Sequence, residues 1–272
     1  AAQQDFRDEI RQWLAANIPT DALPSMDTPE GFERHREWER VLHEARWSVV
    51  AWPEAYGGRG VGLVEWLLFE EEYYLSGAPG RVSTNGVSLL GPTLFAYGTD
   101  AQKDRFLPPM ASGEELWSQG WSEPDAGSDL ASITTRGVRD GEWFVLDGQK
   151  TWCTRGAWAD WLFCIVRTDP TSERHRGLSY LLVPADAEGL ERRPVGRLDG
   201  EPAFAELFQQ ALADLVRALV LGDFLAHQED AVLSAHFFGH RIAKRIAHRR
   251  FDRLARPVRL GFGYDNSGGG DG

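Results

Sequence analysis

The chain has 272 residues, 42% hydrophobic and 11% aromatic, with two cysteines and a formal charge of −12. That length allows one large domain or two modest ones, the acidic balance argues against nucleic acid as a main partner, and no apolar run could span a bilayer. Cys153 and Cys164 cannot build a disulfide framework and read as reduced core thiols, and no signal pattern opens the chain, so a cytoplasmic location is expected.

The first hundred residues read as helices. Phe6, Ile10, Trp13 and Leu14 recur at helical spacing, and Pro19 follows that stripe. Thr28-Pro29-Glu30 is a helix start, with an apolar face continuing through Phe32, Val41, Leu42 and Ala45. Residues 52–60 are turn-rich; their glycines lack G-x-G-x-x-G spacing and no strand precedes them, so they read as a structural loop. An apolar helix follows over 63–74. Thr99-Asp100-Ala101-Gln102 has the capping-box pattern and opens a short helix ending near Pro108-Pro109.

Past Gly113 the period becomes alternating. Strands are expected over 115–121, 133–138, 143–146, 161–168, 178–183 and 191–195, with hairpin signals at Arg139-Asp140-Gly141 and Asp147-Gly148. The fold class is therefore α+β: an N-terminal all-α domain over 1–112, a central antiparallel β-barrel domain over 113–208, then a short atypical helical tail. The tail pattern is helical over 211–226 and 231–254, and 257–272 is expected to be disordered.

The two ends differ in composition. Residues 1–208 hold 20 Lys/Arg and 34 Asp/Glu, whereas residues 209–272 hold nine and seven. All eleven Trp lie at or before Trp161, and four of the seven His follow residue 226. His236 and His240 sit four apart, but no Glu or Cys completes a metal site, so none is assigned. The basic stretch 241–259 reads as a solvated or docking face.

Two segments carry the chemistry: W-S-Q-G-W-S-E-P-D-A-G-S-D at 117–129 and K-T-W-C-T-R-G at 150–156. Each sets hydroxyls beside an indole, which suits a flat, polar, redox-active ring needing a face to stack on and donors at its edge. Alone, the first is a good turn sequence and Trp152 an ordinary core aromatic. Together with W-P-E-A-Y-G-G-R-G at 52–60, the run at 89–114 from L-L-G-P-T to M-A-S-G-E, and H-R-G-L-S-Y-L-L-V-P at 175–184, they make the chain resemble the acyl-CoA dehydrogenase family over residues 1–208.

The resemblance implies FAD as cofactor and an acyl-CoA substrate, dehydrogenated between its α and β carbons. It implies an electron-transfer flavoprotein as acceptor and a homo- or hetero-oligomer. Gln119, Trp121 and Ser122 would meet the pyrimidine edge of the flavin, Trp152 would pack against the ring, Thr154 would offer its hydroxyl close to N5, and Cys153 would belong to the same cofactor-binding set. Ser128 would sit nearer the acyl-CoA, with Gly127 allowing close backbone approach. Asp125 stands where many relatives have Gly.

The family's base-bearing third helical domain does not appear after Phe208, so no catalytic residue is assigned. Asp214, Asp223, Glu229 and Asp230 are the tail acids, and a solvated face suits each. A frame change, a divergent subunit borrowing its base from a partner, and a short helical domain of its own all fit that break. Two rival functions stand beside the dehydrogenase: a catalytically silent scaffold, and an oxygen-using flavin enzyme such as an N-hydroxylase.

Overall fold

A computed structural model describes residues 2–141, 143–196, 198, 203–209 and 219–220. Five α-helices come first: α1 Ala2–Asn17, α2 Pro29–Glu44, α3 Leu63–Leu75, α4 Gly91–Tyr97 and α5 Asp100–Ser112. Ile10 and Leu14 of α1 are buried, with Phe6 and Trp13 packed beside them, as the helical stripe requires. Thr28 caps α2 by accepting from Gly31 N at 3.1 Å, with Pro29 in the first turn. The buried face of α2 runs Phe32, His35, Trp38, Glu39 and Leu42. Val41, expected inside, is turned outward because the helical period places it off that stripe.

Aromatic packing dominates the helical half. Trp47 is fully buried and stacks on Phe69 at 5.5 Å, and Trp38 donates to the Tyr73 hydroxyl at 2.6 Å. Each such side chain contributes about 2–3 kcal/mol by burial. At the Thr99 capping box the side chains of Thr99 and Gln102 each accept the other residue's backbone N–H. The helix it opens runs through Pro108-Pro109 to Ser112 instead of ending there. Phe106, Leu107, Met110 and Ala111 anchor it, and the carbonyls left without an intrahelical donor by the prolines belong to the exposed residues Asp104 and Arg105.

The β half holds β1 Trp117–Gly120, β2 Arg136–Asp140, β3 Trp143–Thr154, β4 Trp161–Arg167, β5 Leu178–Pro184, β6 Leu190–Val195, β7 Phe204–Gln209 and β8 Leu219–Val220. The order is β6-β7-β3-β2-β4-β5-β8, with β1 on β4. This is the expected helical half followed by a curled, half-barrel sheet. Its pairing is mixed, not wholly antiparallel, because β1 and β2 each meet β4 in parallel.

Two further sequence expectations fail in the sheet. Asp147-Gly148 is no hairpin turn: β3 runs straight through it, pairing with β2 before Gly148 and with β7 after it. Gly148 has φ +152°, and a Cβ there would lie 2.5 Å from Thr135 Oγ1, so the strand turns its corner where only glycine fits. Leu219–Val220, expected within a helix, form a strand registered on Leu181 and Leu182 of β5. The free backbone groups of the β5 edge outweigh local helical preference there. The expected helix over 231–254, the tail acids, His236 and His240 lie outside the described residues.

Among the contacts between the helical half and the sheet, those made by Phe106 and Asp160 place β1. Phe106 of α5 packs edge-on against Trp117 at 5.5 Å and Trp161 at 5.3 Å, while those two indoles stack in register. Asp160 accepts from Leu116 N at 2.8 Å and from Arg36 Nη2 of α2 at 2.7 Å.

Candidate functional site

The segments 117–123 and 150–154 lie side by side. Ser118, fully buried, donates its hydroxyl to Thr154 O at 2.8 Å, and Thr151 N donates to Ser122 O at 2.9 Å. Lys150 Nζ donates to Trp121 O at 3.1 Å and to Glu123 Oε1 at 2.8 Å. β1 must come close to β4 for this to work: a Cβ at Gly120 would lie 2.6 Å from Cys164 Sγ.

At the far end β3 bulges. Its register against β7 shifts between Lys150 and Cys153, and Trp152 inside that bulge has φ +58°. For a bulky aromatic this is left-handed backbone costing about 1–3 kcal/mol. The consequence is an indole 62% exposed, steadied by an edge-on contact with Phe204 at 5.8 Å. Burial would favour turning it inward, so the bulge keeps outside what hydrophobicity alone would hide.

Around it the expected residues separate into groups. Gln119, Ser122 and Thr154 are half-buried, and among the described residues their side chains have no hydrogen-bond partner. Trp121 is buried edge-on against Phe163 and Tyr180. Cys153 offers no side chain to that face. Its side chain is wholly inside the sheet core, where burial pushes the thiol well above its usual value, so only its backbone reaches the face. Cys164 is likewise a free core thiol raised by burial to about 11. Ser128 lies in an exposed loop that no contact among the described residues ties to Trp152. Gly127 is open too, with nothing within 4 Å of a built Cβ.

The structure adds Lys150 and Glu123, which sequence reasoning did not single out. Both are buried, and Glu123 accepts from Lys150, from Thr134 N and Oγ1 at 2.6 and 2.9 Å, and from Thr135 N at 2.9 Å. Burial opposes its charge, but Lys150 and these donors outweigh that and hold the carboxyl at about 2. Burial lowers Lys150 in turn, and Glu123 opposes the shift. The signal available in sequence was a Lys two positions before the indole and a Glu opening the E-P-D-A turn, which closes through Glu123 N to Ala126 O at 2.8 Å. Among the described residues no His/Cys/Asp/Glu cluster could hold a metal, and no helix is long and apolar enough to cross a membrane.

Comparison with known proteins agrees with this division. The N-terminal domain pattern of acyl-CoA dehydrogenases matches residues 1–114, and the middle-domain pattern matches residues 118–208. An acyl-CoA dehydrogenase named IpdE1 from Mycolicibacterium smegmatis is 44% identical over 75% of this chain and 56% of its own length. The chain thus spans about half the length of such relatives. A structure titled Tcur3481-Tcur3483 steroid ACAD superposes with TM-score 0.70 at 33% identity, covering 86% of this chain and 62% of that one. The ChsE4-ChsE5 complex from Mycobacterium tuberculosis gives 0.67 at 33% identity, covering 85% and 60%.

Proposed function

The chain belongs to the acyl-CoA dehydrogenase family, whose members are flavoproteins, and on that premise we propose that the 117–123 and 150–154 face is one wall of an FAD and acyl-CoA pocket serving α,β-dehydrogenation of an acyl-CoA thioester. The observation that carries this reading is Trp152, an exposed indole held out on left-handed backbone, with Gln119, Ser122 and Thr154 on the same paired segments and without side-chain hydrogen-bond partners among the described residues. Trp152 holds the flavin by its face. Gln119, Ser122 and Thr154 meet the polar edge of the ring, with Trp121 beside Ser122 in the chain. Cys153 contributes backbone alone, and Ser128 on its open loop serves the acyl-CoA.

When bound, the flavin supplies the hydride acceptor of the reaction. The contribution of this face is binding and orientation: an indole that excludes water from one side of the ring, and hydroxyls fixed by strands that the Ser118–Thr154 and Thr151–Ser122 bonds hold together. Glu123 is not the base. A carboxyl held at about 2 and surrounded by donors is far from the near-neutral value a general base needs.

The base and the opposite wall are therefore assigned to parts of the assembly beyond this face. Two similar structures are, by their titles, two-component assemblies, which supports a hetero-oligomer here. The likeness to a structure titled steroid ACAD supports a bulky, ring-bearing acyl group. The relatives named above are dehydrogenases, which favours an electron-transfer flavoprotein as acceptor over oxygen. The test is titration of purified protein with FAD, read by quenching of tryptophan fluorescence. Acyl-CoA turnover with a ferrocenium-type acceptor then follows in the assembled enzyme. Saturable quenching is expected; no flavin bound in excess FAD, with or without a partner subunit, sinks the reading.

A further inference from the structure

The Lys150–Glu123 pair does more than fill the sheet. β1 ends at Gly120, so residues 121–123 leave their ladder partner β4 just before the hydroxyl at Ser122. Three bonds then fix them to β3: Lys150 Nζ to Trp121 O, Lys150 Nζ to Glu123 Oε1, and Thr151 N to Ser122 O. Two of the three come from one ammonium. The Glu123 carboxylate also grips Thr134 and Thr135, so three separate chain segments converge on one buried pair.

Lys150 stands two residues before Trp152, on the near side of the bulge. One side chain thus sets the height of Ser122 relative to the strand that carries the exposed indole. An apolar pair of similar volume would fill the same space and would often be no less stable, because burying two charges is costly. It would leave Trp121 O without its donor and residues 121–123 held by a single bond.

We propose that Lys150 and Glu123 are positioning residues for the flavin wall, fixing Ser122 in register with Trp152 and thereby setting the affinity for FAD; this rests on the FAD reading above. Neither side chain touches the ligand in this role.

The test uses the full chain and FAD as the probe, with tryptophan quenching for affinity, the flavin absorption band for environment, and the thermal midpoint for folding. The double variant K150M/E123M also leaves Thr134 N and Thr135 N without their acceptor, so it is expected to fold with a lowered midpoint and to bind FAD at least tenfold more weakly with a shifted flavin band. K150R keeps the cation and is expected to stay within threefold of the unmodified affinity. E123D keeps the charge but shortens the arm by one carbon; it is expected to fold and to lose about fivefold, which tests the idea even where the double variant does not fold. A folded double variant, or E123D, that binds FAD like the unmodified chain overturns the proposal. K150R losing as much as the double variant overturns it too, since volume would then be the cause. An unmodified chain that binds no FAD overturns the functional reading and this inference with it, whereas normal binding by the unmodified chain and every variant overturns this inference alone.

Discussion

Each half of the molecule buries a carboxylate against a cation, and the two pairs have different consequences. In the helical half, Glu39 accepts from Ser83 N and Oγ at 3.1 and 2.8 Å and pairs with Arg81 at 3.3 Å. In the sheet, Glu123 accepts from Thr134 and Thr135 and pairs with Lys150 at 2.8 Å. Both tie backbone N–H groups of another segment to a buried charge, and both are nearly inaccessible. The first ties α2 to the segment just before the π-helical turn at Gly86–Leu90. The second engages the strand that carries the only strongly exposed indole among the described residues, through Lys150 two residues before it. The same chemistry therefore stabilises in one place and also orients in the other.

The largest test removes one partner of each pair. Glu39→Gln and Glu123→Gln are both expected to cost about 3–5 kcal/mol in denaturant unfolding, because each strands a buried cation. Only the second should weaken FAD binding; equal effects of both on FAD would erase the distinction. Acid gives the next test. Glu123 sits well below the ordinary carboxylate value, so its stabilisation is fully present above about pH 4.5 and is lost as pH falls toward 2. That loss is on the order of 3 kcal/mol and should be absent from an acid titration of Glu123→Gln.

Trp152→Gly sharpens the comparison from the other side. Relieving φ +58° should raise stability by about 1 kcal/mol in thermal unfolding while FAD affinity falls at least tenfold. A loss of stability instead would mean that the indole is held for packing. The smallest effect is expected at Thr99→Ala, which removes the capping box of α5 for about 1 kcal/mol and leaves FAD binding unchanged.

Sequence alone determined much of this protein. Helical stripes such as Ile10 with Leu14, the caps at Thr28 and Thr99, and the Arg139-Asp140-Gly141 hairpin are local in origin, since each depends on neighbours within a turn or two. Motif order singled out the segments 117–129 and 150–156, which the structure sets side by side, and made Gln119, Ser122, Trp152 and Thr154 candidates. What the residues could not decide alone was set by distant partners. Gly148 became a corner because Thr135 lies against it, and Leu219–Val220 became a strand because β5 offered an open edge. Cys153 went inward and Trp152 outward because a bulge against β7 reset the alternation. Lys150 found Glu123 across 27 residues of chain. Periodicity fixes which face of an element is apolar; only the meeting of elements fixes which polar groups end up buried together.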